Sequence, residues 1–227
     1  MKKKYTVIIE VKSPLHLGAG EGDVNSDAEV VHEACGLPYF PAKRFRGLLY
    51  ESALEVAEMA ERCGAHFLKK ELVNRLFGRT EGGDMTLVIS NFYLFLKENQ
   101  SDDGWEKLKA DLERVERCFG DVTAQDVLEE YTSLRVQTSI DKETGTTKDG
   151  SLRNMRCVNR GISFTGTVDI EARDGEMKSC CQALALALQN LTAAGGKRNR
   201  GFGQVKCHLE KEAEQAKLVK EALKNHG

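Results

Sequence analysis

Near the C-terminus, Gly195-Gly196-Lys197-Arg198-Asn199-Arg200-Gly201-Phe202-Gly203 sets four glycines among three cations. Glycine lets a backbone turn tightly and approach a ligand closely, while free N–H groups and cations attract phosphate. The segment follows a helical pattern, so it differs from the Rossmann and Walker loops, which follow a strand and open a helix. Lys197, Arg198 and Arg200, with the backbone of Gly195, Gly196 and Gly201, suit phosphodiester binding better than a solvated turn. A second cationic stretch spans residues 134–160, with Arg135, Lys142, Lys148, Arg153, Arg156 and Arg160 against three acids. Its opposite is residues 21–34, where Glu21, Asp23, Asp27, Glu29 and Glu33 have no Lys or Arg among them. Such a loop can attract a divalent cation such as Mg²⁺, and a carboxylate there can hold the metal or assist proton transfer. Cys63-Gly64-Ala65-His66 forms a C-x2-H pair, with Cys35, Cys118 and Cys157 as conceivable distant partners in a structural zinc site. His16 and His32 lie near these segments; His66, His208 and His226 are expected in core or surface positions without chemistry.

The whole chain restrains these readings. At 227 residues and 41% apolar content it can bury a real core, and disorder over most of its length is excluded. The 33 basic and 35 acidic residues give a formal charge of −2, so any nucleic-acid affinity must come from local basic patches. The apolar run around residues 182–191 is too short to span a bilayer, and no apolar block follows the basic start. A cytoplasmic location without membrane contact is expected. Seven cysteines without an export signal then read as reduced, small hydrophobic side chains.

The elements that must position these residues follow from periodicity. Tyr5, Val7, Ile9 and Val11 alternate as a half-buried strand, ended by Pro14 and a glycine-rich turn from His16 to Gly22. Phe45, Leu48, Leu49, Ala53, Val56 and Ala60 recur at helical spacing over residues 43–63, and a short helix is expected over 68–77. A strand is expected over 85–95, an acidic helical insertion over 98–130, and two extended arms over 132–140 and 151–160. A strand over 162–172 leads to a helix over 178–194 capped by Gly195-Gly196. Cys180-Cys181 begin its apolar stretch, where one should face the core. A strand over 202–209 and a charged helix over 210–226 complete the chain. With the insertions set aside, the order is β-α-β twice, the α+β ferredoxin-like (RRM-like) framework whose sheet commonly meets RNA. One domain is expected, its core at about 4–95 and 161–210, with a thumb-like β-hairpin at about 134–162. That hairpin is too polar to bury a core, so its order should come from a partner. Ile140, Leu152 and Met155 along it would suit wedging against bases.

Four segments, in this order along nearly the whole chain, resemble the RAMP superfamily of CRISPR effector proteins, and most closely the repeated backbone subunit of type III complexes. Leu15-His16-Leu17-Gly18-Ala19-Gly20 is similar to the family's post-strand turn. Gly36-Leu37-Pro38-Tyr39-Phe40-Pro41-Ala42-Lys43-Arg44-Phe45-Arg46-Gly47 is similar to its lead into the first helix. Thr138-Ser139-Ile140-Asp141-Lys142-Glu143-Thr144-Gly145 is similar to its thumb, and Gly195 to Gly203 to its glycine-rich loop.

The resemblance implies a CRISPR guide RNA held by His16, Lys43, Arg44, Arg46, Arg135, Lys142, Arg153, Lys197, Arg198 and Arg200 and the loop glycines. It also implies a paired target RNA, stacking of copies into a filament, other effector subunits as partners, and a role in antiviral defence. The acidic loop of such proteins can carry an aspartate that cleaves target RNA with a divalent metal. Asp27, eleven residues before Pro38, aligns best, with Asp23, Glu29 and Glu33 close enough to compete. Two other readings stay open: a structural subunit whose partner supplies the nuclease, and a guide-processing endoribonuclease using His16 or His32.

Overall fold

The structure is a computed structural model that describes residues 1–20, 28–80, 85–95, 104–119, 122–138, 140, 145–147 and 151–224. Strand β1 (Lys2–Val11) buries Tyr5, Val7, Ile9 and Val11, as its alternation requires. Helix α1 (Ala42–Arg62) and the short α2 (Lys70–Leu76) follow, then β2 (Thr86–Ile89) and β3 (Tyr93–Leu94). After α3 (Gly104–Phe119) and α4 (Ala124–Tyr131), the hairpin is built from β4 (Thr132–Gln137) and β5 (Arg153–Val158). Strand β6 (Ser163–Glu171), helix α5 (Asp174–Asn190), strand β7 (Val205–Leu209) and helix α6 (Glu212–Lys224) complete the order.

The main sheet runs β2-β6-β1-β7, antiparallel throughout, with β3 also paired to β6. This is the order that two interleaved β-α-β units produce, so the ferredoxin-like expectation matches. Helices α1 and α5 cover one face, where Ser52 on α1 donates to the Ala187 carbonyl of α5 at 2.8 Å. On the other face, β1 and β6 present Thr6, Ile8, Glu10, Thr165, Thr167 and Asp169 and no aromatic ring. Their aromatics, Tyr5 and Phe164, point into the core. These two central strands therefore lack the exposed stacking platform of an RRM.

Four expected boundaries differ for identifiable reasons. The strand expected over 85–95 breaks at Ser90–Phe92. Phe92 leaves β6 and exchanges backbone hydrogen bonds with Phe40, at 2.8 and 2.9 Å. Gly166 makes this possible, since a Cβ there would lie 2.8 Å from the Phe92 ring. Phe92 then packs on Phe45, with centroids 4.4 Å apart, and Phe40 meets Phe45 edge-on. Each such pair contributes about 0.5–1.5 kcal/mol beyond burial and here fixes the first turn of α1.

Helix α5 ends at Asn190 rather than at Gly195, because residues 192–194 pair with 203–205 instead: Val205 N–H donates to Thr192 O and Ala194 N–H to Gly203 O. It starts earlier than expected, with an exposed first turn, and buries both Cys180 and Cys181. The acidic insertion is two helices, the second begun by a capping box between Thr123 and Asp126.

The base of the hairpin is paired and joined to the body. β4 and β5 pair from Thr132↔Val158 to Gln137↔Arg153, and Leu15 and Val158 exchange backbone hydrogen bonds that tie the base to the post-β1 turn. Met155, expected to be free for wedging, is buried against residue 28, whereas Ile140 and Leu152 are exposed. No helix among the described residues is long and apolar enough to cross a membrane.

Candidate nucleic-acid interface

Three segments far apart in sequence meet at one end of the sheet. After β1, the chain turns through His16–Gly18. The imidazole Nδ1–H of His16 donates to the Arg156 carbonyl at 2.8 Å, which fixes the tautomer because a carbonyl only accepts. The glycine-rich loop lies against this turn. Gly196 N–H donates to His16 O at 3.1 Å, and Gly203 N–H to Pro14 O at 2.9 Å. Gly195 has φ +74°, and a Cβ there would stand 2.4 Å from His16 O, so only glycine fits. Lys197 is the one described non-glycine residue with positive φ (57°); it leads into a 3₁₀ turn over Arg198–Arg200 that Gly201 closes. A side chain held in that conformation carries strain, a cost that concentrates at functional sites. Its ammonium contacts the Gln137 side chain, which links the loop to the hairpin.

The first turn of α1 is the third segment. Ala42 N–H is capped by Asn91 Oδ1 at 2.9 Å, and Arg44 donates to Gly18 O at 2.5 Å. Lys43, Arg44 and Arg46 occupy this turn without an acidic residue. Cations at a helix N-terminus oppose the macrodipole, so the arrangement costs stability unless an anion binds there.

Between the segments lies a groove of about 430 Å³ lined by His16–Gly18, Phe40, Lys43, Arg44, Gly47, Leu48, Glu51, Gly195, Gly196 and Arg198. A wider hollow beside it is lined by Ala193, Gly195, Lys197, Arg198 and Arg200. Arg135 and Arg153 are exposed on the hairpin face that carries Gln137. The charges of Arg135 and Lys197 act together on the intervening Cys157, yet burial still pushes that thiol up to about 11.

Arg46 is not brought to the groove. It donates to the Leu87 and Phe77 carbonyls at 2.5 and 2.8 Å and lies over the Phe77 ring, and burial lowers its pKa. Gly201 shapes the loop without lining the groove. Lys142 and Asp27 lie outside the described residues, as does Asp23.

The two described acids of the loop are already committed. Glu33 faces Lys109 of α3 at 3.9 Å. Glu29 is buried and paired with Arg156, whose Nε lies 2.9 and 3.0 Å from its two oxygens. Arg156 Nη1 also reaches Thr132 Oγ1 at 3.3 Å, and its backbone N–H donates to Ala28 O at 2.9 Å. Arg156 therefore serves the base of the hairpin and not its surface. Sequence reading missed this pair; the available signal was a cation inside the apolar run Met155–Val158.

Glu29 therefore offers no free carboxylate to a metal. Among the described residues no three His, Cys, Asp or Glu side chains cluster as a metal site. Cys63 is exposed beyond the end of α1, while Cys35 and Cys157 are buried elsewhere, so Cys63 and His66 gain no further ligand among these residues.

This fold is shared with solved structures, among them chains of one type of complex. A chain of the type III-B Cmr-beta complex in its apo state superposes with a TM-score of 0.63 at 13% identity, over 92% of this chain and 98% of that one. A chain of the same type of complex bound to cognate target RNA gives 0.63 and 13%, over 96% and 99%. No curated protein matches the sequence. A model of the RAMP superfamily matches residues 8–206, from within β1 into β7 and across every segment of the groove, and the chain belongs to that superfamily.

Proposed function

We propose that this chain is a guide-RNA-binding backbone subunit of a type III-like RNA-guided effector complex, and that it cleaves the paired target RNA. The carrying observation is the convergence of the post-β1 turn, the cationic start of α1 and the glycine-rich loop on one groove. Lys43, Arg44 and Arg198 there can neutralise successive phosphates, and the loop N–H groups can approach the backbone closely. Arg135, Arg153 and Lys142 would continue that cationic path along the hairpin. Target sequence would be read by base pairing, the protein gripping backbone and shape. Copies of the chain would stack along the guide with other effector subunits, in the cytoplasm.

Cleavage is assigned to Asp27. It directly precedes Ala28, which Arg156 holds at the base of the hairpin. A divalent cation bound there would supply charge neutralisation at the scissile phosphate. Asp27 would hold that cation or take the proton of the attacking 2′-hydroxyl, while the groove cations keep the guide in place.

The test is the assembled complex with guide, Mg²⁺ and end-labelled target. Wild type should cut, and Asp27→Ala should assemble yet cut about 10²-fold more slowly or less. Asp23→Ala is the control for a shifted assignment. Failure to bind guide overturns the whole reading. Binding without cutting makes the chain a structural subunit, and equal cutting by Asp27→Ala overturns the site assignment alone.

A further inference from the structure

A second groove, of about 400 Å³, opens on the other side of Lys43 and Arg44, lined by Ala19, Val31, His32 and Tyr39 among others. Arg44, bonded to Gly18 O, stands between the two grooves and lines both. Its guanidinium has five N–H donors, so that bond leaves capacity for a phosphate.

Tyr39 is held in place by its neighbours on both sides of the turn. His32 pairs with Pro38 across a tight turn, in which Glu33 N–H donates to Leu37 O at 2.8 Å and Gly36 N–H to Glu33 O at 2.9 Å. Gly36, at φ +86°, lies so close to α4 that a Cβ would stand 1.9 Å from the Ala124 carbonyl. Behind Tyr39 its ring meets Tyr93 at 6.0 Å, and Tyr93 stacks on Trp105 of α3 at 4.5 Å and 25°. Lys109, also on α3, faces Glu33. The inserted helices thus buttress one half-buried phenol, which lines the same groove as the cations Lys43 and Arg44.

An aromatic ring beside cations is the combination that single-stranded nucleic acid requires, with a base on the ring and its phosphate on the charge. We infer that Tyr39 is a stacking platform for one RNA base. The strand leaves the glycine-rich loop, crosses Lys43 and Arg44, and turns a base into this second groove with His32 at its rim. The inference rests on the reading of the chain as an RNA-binding subunit and adds a base contact to what is otherwise backbone binding. The insertion of α3 and α4 gains a role as well: it holds the platform rigid before RNA arrives.

The test compares oligoadenylate with an abasic ribose-phosphate oligomer of equal length, for wild type, Tyr39→Phe and Tyr39→Leu. Tyr39→Phe should retain wild-type affinity for both. Tyr39→Leu, which keeps apolar packing on Tyr93, should lose about tenfold on oligoadenylate. It should bind the abasic oligomer as wild type does, with the same salt slope. A readout that needs no variant accompanies it: 4-thiouridine RNA irradiated on wild-type protein should cross-link within residues 31–39. Equal losses on both oligomers, or no loss on either together with cross-links confined to other segments, overturn the base platform while leaving RNA binding intact. If wild type binds neither oligomer, the RNA-binding reading itself fails.

Discussion

Replacing Arg156 by methionine should be among the most damaging single changes in the molecule. Arg156 is 1% exposed and Glu29 is 6% exposed, so neither charge can turn to water. In Arg156→Met the Glu29 carboxylate keeps, among the described residues, only the Val30 N–H, at 2.9 Å. Thr132 Oγ1 also loses its donor, although its bond to Leu128 O survives. Removing one partner of a buried pair costs about 3–5 kcal/mol, a large share of the roughly 5–15 kcal/mol that holds a domain folded. Glu29→Leu should cost a similar amount by stranding the guanidinium, whose Nη2 is buried with no partner among the described residues.

The double variant distinguishes charge imbalance from simple loss of packing. With both ions gone, the desolvation cost vanishes as well, and Glu29→Leu/Arg156→Met should lie within about 2 kcal/mol of wild type. The coupling between the two sites is then at least about 4 kcal/mol. Urea unfolding followed by circular dichroism and by the single tryptophan, Trp105, measures all four proteins. Additive losses in the double variant, or single variants within about 1 kcal/mol of wild type, would refute the argument.

Other expectations follow from individual groups. Gly203→Ala puts a Cβ 1.9 Å from the Ala194 carbonyl at φ +72°, so it should lower the urea midpoint, whereas Gly161→Ala, strained at φ +92° but meeting nothing, should lower it less. Burial raises Cys157 to about 11 and Cys207 to about 12, so both remain thiols at pH 8 and should resist iodoacetamide in the native state. Peptide mass mapping should find Cys63 alkylated first among Cys35, Cys63, Cys157, Cys180, Cys181 and Cys207, and faster labelling at Cys157 or Cys207 would contradict their burial. Deleting residues 141–150 should leave the unfolding midpoint near wild type, because the hairpin base is anchored by the Leu15–Val158 pairing, and should impair assembly on guide RNA. A collapse of the fold in that deletion would contradict the anchoring.

Periodicity made β1, α1 and β6 legible because their burial repeats within each segment. It failed where a partner far along the chain decides the local structure. Phe92 abandons β6 for Phe40, and residues 192–194 choose residues 203–205 over a longer α5. The groove was legible for the same reason that it forms: glycines and cations cluster locally in each of its three segments. Arg46 looked like part of that cluster, but it follows the buried Phe45, and its stem runs inward to two carbonyls. The Glu29–Arg156 pair joins residues 127 positions apart, so nothing local announced it. Tyr39 likewise became a candidate only once α3 was seen to support Tyr93 behind it.

The groove itself is tested most directly by RNA affinity measured against salt. Each Lys or Arg contact with a single-stranded phosphate contributes about −0.7 to the slope of log K against log salt. Arg198→Ala and Arg200→Ala, both exposed and outside the core, should each weaken guide binding and flatten that slope by about 0.7. Arg46→Ala, whose side chain is spent on protein carbonyls, should leave the slope unchanged in whatever protein stays folded. Wild-type affinity and slope in both Arg198→Ala and Arg200→Ala would contradict the account.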